Sequence, residues 1–398
     1  MFTLTLPSDI LFGAGTLQEL PGRARRFGTR IALARGGASF ERPEVGGRVL
    51  PLLQAAGLTI VTLPLQTREP EPADIDAAVD LARSAGAHLV IAVGGGSVLD
   101  LGKAVAALAG QREPAPVRAY LEGIGDGRTL IEDPLPFLAV PTTAGTGTEA
   151  TKNAVISSQR DGFKKSLRDP RMLATVALID PTLACGLPAH LTAWTGLDAL
   201  TQLIEAYTTR KANPVTDALA LRGLSAARAL PAAVQDSNDL AAREAMALAA
   251  LLSGLCLANA GLGAAHGIAA ALGSVSPIGH GLACALALPW VMAANLPVVA
   301  PRYAELATLL TGHTFPDAQT GGRAAIARVW ELLSTLAIPR ARDLPTLAGV
   351  LDDAQLPRLA TLCQGNSLSG NPRALGDEEL IALLRALRDA ESPGDFRL

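Results

Sequence analysis

Residues 88–104 read HLVIAVGGGSVLDLGKA. The run His88–Val93 is apolar, short and closed by glycine, which is the pattern of a strand buried on both faces. Gly94, Gly95 and Gly96 end it, and helix-forming residues at helical spacing follow at once, over Ser97–Ala109. The free amides of such a turn, with the positive end of the helix dipole behind them, make a ready site for an anion. A Cβ there would hold a pyrophosphate away from the backbone, so the chemistry asks for glycine. The spacing is not GxGxxG, so the common dinucleotide fingerprint is absent. On the glycines alone, a plain strand-to-helix turn fits as well.

Working outward, Ile31–Ala34, Leu58–Leu63, Phe137–Val140 and Val176–Ile179 have the same short apolar character. Helical patterns such as Ala73–Ala85 lie between them, and that alternation predicts a parallel sheet covered on both faces. A second loop, PTTAGTGTEAT at 141–151, follows the next strand and offers the hydroxyls of Thr142, Thr143, Thr146 and Thr148. Two loops leaving strands of one parallel sheet share its carboxyl edge, where such sheets bind ligands. Lys164, in RDGFKKSLR, can bring a cation to that ligand, or can be a solvated surface lysine.

From about Pro188 the strand signals stop, and Leu/Ala-rich helical patterns run to the end. With 398 residues, two domains are expected. The expected architecture is an α/β N-terminal domain with a parallel sheet over 1–185, followed by an all-α C-terminal domain over 186–398. A net charge of −3 gives no electrostatic case for nucleic acid or an anionic membrane. Cys185, Cys256, Cys284 and Cys363 show no CxxC spacing and read as small buried hydrophobes in a reducing compartment. The N-terminus lacks the pattern of a signal peptide, so a cytoplasmic protein is expected. The most membrane-like stretch, Leu282–Ala300, contains Pro289, Asn295 and Pro297 and reads as core.

Ala245–Pro301 carries no Asp, Glu, Lys or Arg, yet it contains His266 and His280. A core imidazole must find a hydrogen-bond partner, a metal or a substrate. Upstream, GLDALTQLIEAY reads as an amphipathic helix with Leu200, Leu203, Ile204 and Tyr207 on one stripe. Asp198 and Gln202 project together from another face. Satisfied core histidines and a buried polar site both fit these residues.

Taken in order, ILFGAGTLQEL, GGGSVLDLGKA, PTTAGTGTEAT, VALIDP, GLDALTQLIEAY, GAAHGIAAALG, PIGHG and NPR (Asn371–Arg373) span nearly the whole chain. In this the sequence resembles the iron-containing (group III) alcohol dehydrogenases, whose fold is shared with dehydroquinate synthase and glycerol dehydrogenase. The resemblance implies that Gly95, Gly96 and Ser97 hold the pyrophosphate of NAD or NADP, with Asp100 beside them. It implies that Thr142, Thr143 and Thr146 flank the nicotinamide and its ribose, and that Lys164 binds the cofactor. It also implies that Asp198, His266 and His280 are catalytic and hold a divalent metal, Fe or Zn. Gln202 stands where the family has a further histidine.

Three departures from the family pattern carry expectations. A Gln amide oxygen is a neutral, poorer donor than imidazole, so metal held with Gln202 is expected to be weak or absent. Ala270 replaces a histidine suited to proton relay. Gly36, preceded by Arg35, replaces an Asp that binds adenosine ribose, which implies tolerance of NADP. The implied activity is hydride transfer between a nicotinamide and a small alcohol, aldehyde or ketone, by a homodimer or larger homo-oligomer. Two other readings stay open: a metal-independent reductase resembling maleylacetate reductase, and a nucleotide-binding paralogue without catalysis. A lyase like dehydroquinate synthase is disfavoured by the Ala/Leu-rich second half.

Overall fold

The computed structural model describes residues 1–158 and 160–396. Six parallel strands form one sheet: β1 (Asp9–Phe12), β2 (Arg30–Arg35), β3 (Thr59–Thr62), β4 (Leu89–Gly94), β5 (Phe137–Pro141) and β8 (Val176–Ile179). Their order is β1-β8-β5-β4-β2-β3. Every residue of β4 and β5 is buried, as strands with both faces covered must be. Their register pairs Val93 with Val140 and Gly94 with Pro141, so the two loops leave the sheet from adjacent rungs. The chain turns away from β2 toward β3 but from β4 toward β5, and this reversal opens a crevice at the carboxyl ends of β2 and β4.

Helix α1 (Pro72–Ser84) starts with a capping box between Glu71 and Asp74. Helix α2 (Gly96–Ala109) follows β4 directly. Ile31, Leu33, Leu89, Ile91, Val93, Leu138 and Val140 form the centre of one apolar core. Three further strands depart from the sequence expectation. β1 is four residues long and only partly buried, which leaves little apolar signal. An antiparallel hairpin of β6 (Asn153–Ser158) and β7 (Phe163–Arg168) carries lysines within its pairing, opposing Ser157 to Lys164. The charged residues of β7 leave it without an apolar run.

The chain divides into two compact units. One comprises Leu4–Leu187 with Ser237–Ala247, and the other Met1–Thr3, Pro188–Asp236 and Leu248–Leu398. Among its described residues the second unit contains no strand. Its principal helices are α3 (Ala189–Thr208), α5 (Ala264–Val275) and α6 (His280–Thr311), and α4 (Leu240–Ala260) runs on into it. Ile268, Leu272, Leu282, Leu286, Trp290, Leu359 and Leu383 belong to its core. α4 and α6 are long and apolar enough to cross a membrane, but 89% of the apolar window of α6 is buried inside the fold. Pro289, Pro297 and Pro301 interrupt α6, and Val299 leaves helical geometry there. Buried Asn295 pairs amide to amide with Asn371, at 2.8 and 2.9 Å.

Candidate active site

Gly95 is the N-cap of α2, so the amides of the first loop lie at the helix's positive end. Gly95, Gly96 and Ser97 are partly exposed. The second loop folds over the first. A Cβ on Gly95 would lie 3.4 Å from the Thr143 side chain, and one on Gly96 would lie 2.8 Å from that of Thr146. Thr142 donates its N–H to Gly94 O at 3.0 Å. Thr142 Oγ1, Asp100 Oδ1 and Asn153 Oδ1 are buried polar atoms that make no hydrogen bond within the protein. Unsatisfied groups on Thr142 of the second loop and on Asp100 and Asn153, just beyond the two loops in the chain, are what a polar ligand would complete, so these residues fit a dinucleotide.

A buried cation ties the loops together. Lys103 Nζ lies 2.8–2.9 Å from Thr148 O, Thr151 O, Thr151 Oγ1 and Asn153 O. Burial lowers its pKa against the opposing pull of Asp100 and Glu149. Burial likewise raises Asp100, and it raises Glu149 to about 7, Lys103 acting the other way in both cases. Lys164, on β7, is largely buried and ion-paired with Glu69. Both of these charges are felt by Asp100.

In the helical unit, α3 carries Asp198 and, two turns later on the same face, Glu205. Glu205 Oε1 accepts the Ala265 N–H at 2.6 Å, and Asn371 Oδ1 accepts the Ala264 N–H at 3.2 Å. Two side chains from distant elements thus cap the first turn of α5 and fix His266. Glu205 Oε2 lies 2.6 Å from His266 Nδ1, which leaves Nε2 facing Asp198 Oδ1 at 3.3 Å. His280, the first residue of α6, places Nε2 at 3.8 Å from the same Asp198 oxygen. The start of α6 presses against α3: a Cβ on Gly281 would lie 2.2 Å from Trp194 O. His190 and His313 are exposed and take no part.

Cys284 completes this group. Its sulfur is 3.7 Å from His280 Nε2, and the donor atoms of Asp198, His266, His280 and Cys284 all lie within 4.8 Å of one another. Gln202 turns elsewhere, its Oε1 accepting the Ser253 hydroxyl of α4 at 2.8 Å. Burial disfavours the imidazolium of His266. The Cys284 sulfur, Glu205 and Asp198 outweigh it and hold the pKa well above the usual imidazole value. Burial also opposes ionisation of Asp198, but His280 and His266 keep its pKa low. The group therefore attracts positive charge, and carboxylate, imidazole and sulfur donors converging on one point fit a divalent cation.

The profile described as iron-containing alcohol dehydrogenase matches residues 7–181, and that of the C-terminal region of the Fe-containing alcohol dehydrogenase family matches residues 192–388. The chain belongs to the iron-containing alcohol dehydrogenase family. It is 34% identical to the 1,3-propanediol dehydrogenase of Klebsiella pneumoniae, over 97% of this chain and 98% of that one. It is 33% identical to the NAD-dependent methanol dehydrogenase of Bacillus methanolicus, over 78% and 80% of the two chains. The crystal structure of a 1,3-propanediol oxidoreductase matches with a TM-score of 0.90 and 31% identity, covering 97% of this chain and 100% of that one. As a member of this iron-containing family, the chain is an NAD(P)-dependent oxidoreductase acting on CH–OH groups; the family uses a divalent metal, for which Asp198, His266, His280 and Cys284 form a candidate site.

Four residues of these sites went unassigned in the sequence. Cys284 follows His280 by four residues, the spacing that brings two side chains together on a helix. Its place in an apolar run made it look like packing. Glu205 is seven residues beyond Asp198, a spacing that returns to the same face. Lys103 stands inside the quoted glycine motif, but nothing local shows that it reaches the second loop. Asn153 follows that loop, and its orphaned oxygen is visible only in three dimensions.

Proposed function

We propose that this dehydrogenase interconverts a small uncharged alcohol and its aldehyde or ketone. In this reading Gly95, Gly96 and Ser97 hold the cofactor pyrophosphate, and Asp100 lies beside them. Thr142, Thr143 and Thr146 line the nicotinamide end, and Lys164 binds the cofactor. Asp198, His266 and His280 hold the metal. The observation that carries the reading is the convergence of these three donors, with Glu205 orienting His266 from behind. When bound, the cofactor would supply a nicotinamide able to give or take a hydride, and a metal held by Asp198, His266 and His280 would supply Lewis-acid polarisation of the substrate oxygen.

Asp198, His266 and Cys284 are buried, whereas the His280 side chain is 27% exposed, so substrate approaches on the His280 side. Ala270, one turn beyond His266, offers no group to relay a proton. The proton on the product hydroxyl therefore enters from water on that same open side. Ala264, Ala265, Leu282 and Ala283 are buried among the site's neighbours in sequence and supply no charge to bind an anionic substrate. The unit of Leu4–Leu187 with Ser237–Ala247 serves as the cofactor domain, and the helical unit serves as the metal and substrate domain; the expected boundary at 185/186 thus shifts by two residues and a segment of the helical half, Ser237–Ala247, joins the first unit. The low net charge and the burial of α6 support a cytoplasmic enzyme without nucleic-acid or membrane partners. It works as a homodimer or larger homo-oligomer.

The test is reduced-nicotinamide absorbance with a panel of short aldehydes, in wild type and His280→Ala. Wild type should oxidise NADH or NADPH with at least one aldehyde, and the variant should lose at least about a hundredfold in kcat/KM. Equal turnover by the two proteins, or none with any aldehyde or alcohol, would remove the proposal.

A further inference from the structure

We propose that Cys284 is the fourth protein ligand of the metal, in place of Gln202, and that the set Asp198–His266–His280–Cys284 selects zinc over iron. This rests on the reading that Asp198, His266 and His280 hold the ion. The first argument is distance. Zinc bonds of about 2.0–2.1 Å to nitrogen or oxygen and about 2.3 Å to sulfur give tetrahedral edges of about 3.3–3.6 Å. The structure places His266 Nε2 at 3.3 Å from Asp198 Oδ1, His280 Nε2 at 3.8 Å from the same oxygen, and Cys284 Sγ at 3.7 Å from His280 Nε2. Two of these edges match to within about 0.2 Å, the His280–Asp198 edge is about half an ångström longer, and all the donor atoms lie within 4.8 Å of one another, so a small inward movement closes the set on an ion.

The second argument is commitment. Gln202 Oε1 already accepts the Ser253 hydroxyl, so the amide oxygen that would ligate is bonded to another helix. Cys284 sits one turn beyond His280 on α6, and the contact of Gly281 with Trp194 O holds that turn against α3. The third argument is charge. One carboxylate, one thiolate and two neutral imidazoles carry two negative charges, which a divalent ion neutralises. As the ion enters, the Cys284 thiol and the His266 imidazolium each give a proton to solvent. Thiolate is the softest donor available here, and softness favours zinc over iron in a set otherwise shared by both.

Zinc retention is measured by elemental analysis after dialysis against a mild chelator. Cobalt-loaded protein is scanned for thiolate-to-metal charge transfer in the near ultraviolet, a band a merely packed cysteine cannot produce. Wild type should keep zinc in preference to iron and show the band. Gln202→Ala should keep both properties. Cys284→Ser should lose the band and weaken zinc at least about tenfold. Adding Gln202→His to Cys284→Ser should restore zinc without the band. Wild type that binds cobalt stoichiometrically without the band overturns the assignment of Cys284 and leaves the other three ligands standing. Wild type that takes up neither metal, like His280→Ala, overturns the underlying reading as well. The wild-type spectrum decides the matter even if Cys284→Ser does not fold.

Discussion

Glu205 Oε2 stands 2.6 Å from His266 Nδ1, while its other oxygen accepts the Ala265 N–H of the same turn. One carboxylate therefore sets both the tautomer of the imidazole and the position of the helix that carries it. An outer carboxylate of this kind raises the donor strength of the facing nitrogen. Glu205→Gln keeps an oxygen for the Ala265 amide but loses the charge behind the ring. Metal affinity should fall about 10–100-fold, with little change in melting temperature. Competition with a chromogenic chelator measures it, and an unchanged dissociation constant would leave Glu205 a purely structural cap.

The glycine loop makes a separate prediction. Gly95 has φ −76°, which any residue adopts, so Gly95→Val introduces no backbone strain. A Cβ there already lies 3.4 Å from Thr143, and the valine methyls extend into the space where phosphate meets the amides. Cofactor affinity should drop at least about tenfold in a folded protein, because the amides can no longer approach the anion. Quenching or enhancement of NADH fluorescence on titration reads it directly. Binding equal to wild type would place the pyrophosphate elsewhere.

What was legible in the sequence followed what packing makes repetitive. Leu89–Gly94 is buried at every position, and its uniform apolarity announced a central parallel strand. Phe163–Arg168 pairs just as regularly, but its lysines and arginine break any apolar period, and the ion pairs that hold Lys164 and Arg168, to Glu69 and Glu122, are distant in sequence. His266 and His280 were legible because histidine is rare in an uncharged region, and Asp198 because GLDALTQLIEAY matches a motif of the family the sequence resembles. Cys284 was not, since a buried cysteine is chemically ambiguous until a donor stands beside it. The substitution at Gln202 was visible, but its consequence was not. Ser253, which takes up its amide oxygen, lies 51 residues away on another helix.

The buried charges around α2 predict a pH dependence. Burial lifts Glu149 to about 7 from its usual 4.5. The folded state therefore holds a proton that the open state releases. Stability from this group is fully present below about pH 4.5 and is lost as pH rises through about 7. Glu149→Gln removes the titration. Amide exchange protection of the 141–151 loop in wild type, relative to Glu149→Gln, should fall at least about tenfold between pH 5 and pH 8. Measuring the ratio cancels the intrinsic pH dependence of exchange, and a ratio flat across that range contradicts the assignment.

The end of β2, at the crevice where the strand order reverses, carries a prediction about cofactor choice. Gly36 bridges to Gln66, and a Cβ on it would lie 2.7 Å from Ser39 Oγ and 3.3 Å from Val98 Cγ2. No carboxylate stands at this position to hold the adenosine ribose hydroxyls or to repel a 2′-phosphate. Arg35 lies beside it, its guanidinium 5.8 Å from the centre of the Phe40 ring. That contact is weak enough to yield when a phosphate offers a charge-assisted pair. The enzyme should use NADPH at least as efficiently as NADH. Gly36→Asp, with the Ser39 hydroxyl rotating to make room, should shift the ratio of kcat/KM toward NADH by at least about tenfold. Steady-state rates with both reduced cofactors and one aldehyde decide it. A wild type that strongly prefers NADH would show that something other than residue 36 reads the ribose.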